Sequence, residues 1–290
     1  MSAPSLAPGA ATATRPAKPG RLPIKLGWAL LVVIVLICFW RVNVDWSELS
    51  DFFPSLFHYI HLMFGPPAWS QTSAAFSATV LSVQMAWIGA ILGVLVSFPL
   101  SFLAAANVVP VWVRLPVRLI LAVFRAVPEV VIAILILSVT GLTAWTGALA
   151  LGIGSIGTLG KWGYESFESV APGPMEAARS TGGSRFAIVR WGLWPQAQSE
   201  VLAFWLYRFE ISVRSSAILG LIGAGGIGKM LSDNIQYQNW NVVGMLLIVV
   251  VIVTMIIDQI SGTLRQRLIT GRWAWVGYGK RRRSLTPKSV

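Results

Sequence analysis

Charge is scarce in this sequence, and cysteine is almost absent. Asp, Glu, Lys and Arg make up 12% of its 290 residues, against about a quarter in soluble domains, and the mean hydropathy is +0.69. That excludes a soluble enzyme. Cys38 stands alone in an apolar run, so one copy cannot build a disulfide framework, zinc knuckle or thiol pair. There is no Ser/His/Asp grouping, no pair of carboxylates with room for water and no H-E-x-x-H. His58 and His61, three apart, are half a metal site at most and read better as interfacial histidines of an amphipathic segment. No residue is read as catalytic and none as a metal ligand. Acidic groups are outnumbered 11 to 23, for a net charge of +12, which suits nucleic acid or a membrane surface depending on where the positive charges fall.

Long apolar runs are abundant. A crossing helix needs about 20 predominantly apolar residues, and the gaps between charges, such as Asp51 to Arg114 and Glu129 to Lys161, are that long or longer. These gaps predict an all-α, polytopic membrane bundle of about six helices, near 24–41, 74–106, 117–140, 144–163, 195–218 and 241–262. Arg125, Pro128 and Glu129 interrupt the third. Residues 1–23, rich in Ala, Pro, Thr and Ser without apolar periodicity, are expected to be a disordered tail. The first span is expected to be retained, because Trp40-Arg41-Val42-Asn43 stands where a small-residue cleavage site would be needed.

Lys and Arg stay on the cytoplasmic side during insertion. Nineteen of the 23 fall on one side of this map, flanking span one, the turn into span three, the loop after span four and the end of span six, with Arg41 and Lys229 opposite and Arg208 and Arg214 inside span five. Both termini are thus expected in the cytoplasm. Of 14 tryptophans, all but Trp87 and Trp205 fall near a proposed helix end or in a loop, as interfacial rings should. Topology accounts for the basic balance, and no nucleic acid is implied.

Two glycine motifs resemble nucleotide sites. Gly223, Gly225, Gly226 and Gly228, followed by Lys229, approach a P-loop, but Met230 stands where magnesium needs a hydroxyl and no strand precedes it. A glycine-rich turn with close backbone approach is the better reading. The G-x-G-x-x-G of Gly152, Gly154 and Gly157 lies in an apolar span, and Gly89 and Gly93 form a G-x-x-x-G; both suit close helix packing.

Glu200, Arg208, Glu210 and Arg214 lie within span five, where each charge costs about 2.5–3.5 kcal/mol at the bilayer centre. They should pair or face a cavity. Glu210 and Arg214, four apart, share a helix face, and Glu200 and Arg208 roughly align. Mutual pairing that holds the bundle and contact with an anionic solute both remain open. In the loop before span five, Pro174 suits a first helical turn, Glu176 complements the dipole there, and Gly182-Gly183 can stop the helix. Ala177 and Ala178 would let another surface approach. Docking helix and solvated connector are equally compatible with these residues.

Glu176 to Gly182 (EAARSTG), followed by Pro195, resembles the EAA loop of permease subunits of binding-protein-dependent ABC importers. Gly192 and Trp194 depart from it, standing where the family usually has aliphatic residues. RAVPE at 125–129, PGPMEAARSTGGS at 172–184 and YRFEISVRSSAILGLIGAGGIG at 207–228 are similar to the phosphonate importer permeases, over roughly residues 74–265. The resemblance implies the type I ABC importer permease fold and a multi-pass subunit in the cytoplasmic membrane. It implies a homodimer, two cytoplasmic ATPase subunits that hold ATP and Mg, and an external phosphonate-binding protein; no cofactor is expected in this chain. Glu176, Ala177, Ala178 and Gly182 are then the ATPase-coupling residues, with Arg208, Glu210 and Arg214 as pathway or structural charges. The expected organisation is a tail (1–23), a first span with an external amphipathic segment (24–73), a permease core (74–265) with its coupling loop near 170–192, and a basic tail (266–290). The competing readings are the same importer type carrying phosphate, phosphite, methionine or a betaine, and an intramembrane enzyme acting on lipid.

Overall fold

The computed structural model describes residues 22–42 and 46–270, and side chains from residue 25 to 42 and from residue 51 onward. The expected tail lies outside them as far as residue 21, and the basic end lies outside them beyond Thr270. Among the described residues every regular element is a helix. The chain divides into two units, Met1–Phe57 and His58–Val290. The first contains α1 (Leu22–Val42) and the start of α2 (Trp46–Phe64). Every described side chain of α1 is exposed, and an apolar helix with no buried face is stable only where the solvent is itself hydrocarbon.

The second unit is built around α3 (Thr72–Ala104), α6 (Ala144–Glu168) and α9 (Trp194–Leu219). Lipid supplies no hydrophobic drive between helices, so packing depends on small residues that let backbones approach. The interior of α6 follows this rule: Gly152, Gly154, Ser155, Gly157 and Gly160 are buried. A Cβ on Gly89 of α3 would stand 2.7 Å from Leu151 Cβ, and one on Gly93 2.6 Å from Ser155 Cβ. Gly89, Gly93 and Gly152 thus share one α3–α6 seam, whereas Gly154 and Gly157 turn to α5 and α4.

α4 (Val111–Ala126) and α5 (Glu129–Thr140) meet at an 84° bend, because Pro128 holds Val127 in an extended conformation. The expected third span is therefore two helices. α7 (Pro172–Ser180) and the single turn α8 (Arg185–Ala187) follow α6, and a π-helical segment, Ile188–Leu193, leads into α9. After α9 the chain turns through a second π-helical segment, Gly220–Ala224, into α10 (Gly226–Gln236), bent by 54°. α11 (Trp240–Thr270) continues past the expected end of span six and takes in the start of the expected basic tail.

Among the described residues three helices are long and apolar enough to cross a membrane, or five when each bent pair is one span. α6, expected as the fourth span, is not among them. Its glycines, together with Lys161 and Glu165, dilute its hydropathy, and it is the buried centre of the bundle rather than a lipid-facing helix.

Candidate functional site

Three places bring the singled-out residues together. The first is α7. The helix begins at Pro172, with Ala171 extended before it, and proline suits this position because its missing N–H has no partner to lose. Pro174 falls in the first turn as expected. Glu176 is the fifth residue, outside that turn, because the helix starts two residues before Pro174; its charge meets a weaker dipole field than expected. Met175 is 5% exposed and sits among Ala105, Phe167, Leu193, Ala197 and Val201. Asn107 braces this floor by donating to the Phe167 carbonyl at 2.6 Å. Glu176 and Ala177 face outward and Ala178 is half-buried. The helix stops where Gly182 takes φ +74° and its N–H donates to the Arg179 carbonyl at 3.0 Å.

Gly192 explains one departure from the EAA pattern. A Cβ there would lie 3.1 Å from both Met175 Cα and the Pro174 carbonyl oxygen, so an aliphatic residue would crowd the backbone of α7. Glycine lets the π-helical segment close directly on the helix.

The second place is a pair of charge clusters on α9. Arg208 is 4% exposed. Its Nε donates to Ser155 Oγ at 2.8 Å, and its NH2 pairs with Glu129 Oε1. Glu129 opens α5, where a carboxylate is stabilised by the helix N-terminus, and Gly154 leaves room for it: a Cβ there would lie 2.6 Å from Glu129 Cγ. The expected alignment of Arg208 with Glu200 is replaced by this pairing; Glu200 is exposed. Arg208 turns to Glu129 because the α4–α5 bend carries that carboxylate to the α6–α9 seam.

Glu210 and Arg214 do pair, at 2.8 Å. Arg214 also reaches Asp258 Oδ2 of α11 at 2.7 Å, and Arg265 NH1 stands 3.9 Å from Glu210 Oε2. At that separation Arg265 neutralises charge without a hydrogen bond, and Oε2 remains a buried acceptor without a donor. Sequence reasoning missed Glu129, Ser155, Asp258 and Arg265 as partners. Their signal was charge in apolar surroundings; which charges meet depends on helix packing.

The third place is the glycine turn. Gly223, Gly225 and Gly226 take φ of +105°, +96° and +67°, the region glycine enters without steric cost. Gly228 packs against the Ala217 carbonyl and Gly220. The Ile227 N–H donates to Ser82 Oγ of α3 at 3.0 Å, and Lys229 pairs with Asp233 one turn on, at 2.8 Å. The turn is filled by its own backbone and follows a helix.

This geometry defines a class: a helical membrane permease core with a short surface helix and ion-paired charges in its interior. Residues 97–270 match the family described as binding-protein-dependent transport system inner membrane component, and the chain belongs to that family. It is a multi-pass membrane protein of ABC-transporter permease fold. The phosphate-import permease protein PhnE of Mycolicibacterium smegmatis is 37% identical over 198 residues, which is 67% of this chain and 37% of that protein. The chain therefore spans little more than a third of that relative. The phosphite transport system permease protein PtxC of Stutzerimonas stutzeri is 30% identical over 253 residues, covering 83% of this chain and 90% of PtxC. Among solved structures, the inward-facing MetNI methionine ABC transporter in its CY5 native crystal form aligns with a TM-score of 0.60 at 19% identity, over 69% of this chain and 98% of that one. At that identity the likeness concerns the fold.

Proposed function

We propose that this chain is the membrane-spanning permease subunit of an ATP-driven importer for small phosphorus oxyanions, phosphonates first, with phosphite and phosphate as alternatives. The observation that carries the reading is its membership of the binding-protein-dependent transport family together with relatives named for phosphonate, phosphite and phosphate transport. Two copies form the path, an external binding protein delivers the solute, and two ATPase subunits hold ATP and Mg in the cytoplasm, where both termini lie. Glu176, Ala177 and Ala178 dock on an ATPase subunit, and Gly182 ends the docking helix. The closing motion of the ATPases passes through Met175 and Gly192 to α9.

Within this reading Arg208 is a structural charge, since its guanidinium is taken up by Glu129 and Ser155. Arg214, with its side chain 49% exposed, is the better positioned cation for an anionic solute, with Glu210 and Asp258 holding it in place. The test is uptake of labelled methylphosphonate by phosphate-starved cells lacking the gene, with and without its restoration, against phosphite, phosphate, methionine and betaine as competitors. Restored uptake blocked by phosphonates supports the assignment. No restoration, with permease and ATPase both present in the membrane, removes phosphonate as cargo.

A further inference from the structure

A groove runs between the α3–α4 turn and the segment Arg185–Trp194. Its polar arm, about 430 Å³, is lined by Asn107, Arg179 and Arg185. Its apolar arm, about 540 Å³, is lined by Phe98, Phe102, Phe186, Arg190 and Trp194. Val108, Val109, Arg185 and Val189 line both arms, so the two are one continuous cleft with Arg185 at the junction. The apolar floor is fixed by aromatic packing, with Phe98 edge-on to Trp194 at 5.4 Å and Phe102 stacked on Phe167 at 4.3 Å. Among the described residues neither Arg179 nor Arg185 has a carboxylate partner, and the nearby Glu168 is taken up by Arg118 and the Ala106 N–H.

We propose that this cleft binds a phospholipid with an anionic headgroup, its phosphate between Arg179 and Arg185 and an acyl chain along Phe98, Phe102 and Trp194. Charge complementarity and position choose the occupant. The apolar arm is walled by the end of α3, a helix long and apolar enough to cross a membrane, and the arginines line its polar continuation. Phe186, 77% exposed, stands at its open side, where an acyl chain would cover the ring. Because Arg179 belongs to α7 and Arg185 to α8, the lipid would tie both ends of the docking helix's exit to the bilayer.

The test uses the full chain purified from membranes, with native mass spectrometry of lipid retained from equal mixtures of phosphatidylglycerol and phosphatidylcholine. Wild type should hold phosphatidylglycerol preferentially. Arg179→Gln with Arg185→Gln should weaken retention roughly thirtyfold, about fivefold per arginine, while Arg114→Gln, a charge outside the cleft, should leave it unchanged. Val189→Trp fills the junction without removing charge and should also expel the lipid, which keeps the test decisive if the double variant folds poorly. Equal retention of both lipids, or unchanged retention in both cleft variants, overturns the proposal. Displacement of phosphatidylglycerol by millimolar inorganic phosphate would assign the arginines to a free anion instead. Variants that lose the ATPase subunit but keep the lipid would assign the cleft to a protein contact.

Discussion

A guanidinium removed from water costs several kcal/mol unless its hydrogen bonds and charge are met nearby, and removing one partner of such a pair costs about 3–5 kcal/mol. Arg208 meets both conditions through Glu129 and Ser155. Glu129→Gln should therefore lower the melting temperature of the detergent-solubilised protein markedly, and Glu129→Gln combined with Arg208→Gln should recover much of the loss. Additive losses in the double variant would argue that the two side chains do not couple. The Glu210–Arg214 pair behaves differently. Exchanging the two residues would set a carboxylate against Asp258 and a guanidinium against Arg265, so the exchange should destabilise even if the pair is purely structural. Asp258→Asn alone should release Arg214 and change transport more than stability. Wild-type uptake by Asp258→Asn and Arg214→Gln would remove this cluster from the pathway.

At the scale of elements, α7 is a short helix whose position is set by contacts outside itself. Nine residues are too few for a helix to persist alone, so Met175 in its apolar pocket and the closure at Gly192 hold it. Gly192→Val should push α7 outward at a cost of about 1–3 kcal/mol and reduce the ATPase stimulation that accompanies transport; Gly192→Ala should do less. Glu176→Ala should weaken coupling with the fold intact, because its side chain is exposed. Normal transport by Glu176→Ala and by Gly182→Pro would make α7 a connector. Across the glycine turn, Ser82→Ala leaves the Ile227 N–H buried without an acceptor, at about 1–3 kcal/mol, and should be visible as a lower melting temperature.

Over the whole molecule, stability should follow the glycine-rich centre. α6 is buried along most of its length and packs closely against α3, α4 and α5, whereas α7 exposes most of its side chains. Amide hydrogen exchange should be slowest in α6 and fast in α7; equal protection of the two would contradict this arrangement. A Cβ on Gly157 would stand 2.6 Å from the Arg125 nitrogen and the Leu121 carbonyl oxygen, both main-chain atoms that cannot rotate aside. Gly157→Val should therefore prevent accumulation of folded protein in the membrane, as judged by immunoblot and gel filtration.

What the sequence determined by itself is whatever acts within a turn or two of chain. Apolar run length predicts most of the long apolar helices, Pro174 and Gly182 place the surface helix to within a turn, the glycines at 223–226 permit the tight turn there, and Glu210 and Arg214 meet because four residues make one helical turn. The family is legible too, in motifs that are contiguous. Tertiary structure alone decided the rest. Arg208 finds Glu129 across 79 residues and Arg214 finds Asp258 across 44; an 84° bend splits one expected span, and α6 becomes the bundle's buried centre although it is not among the helices apolar enough to cross a membrane. The physical reason is that burial of a charge fixes only that it must have a partner, and which partner it has depends on where packed backbones, brought close by glycine, place the other helices.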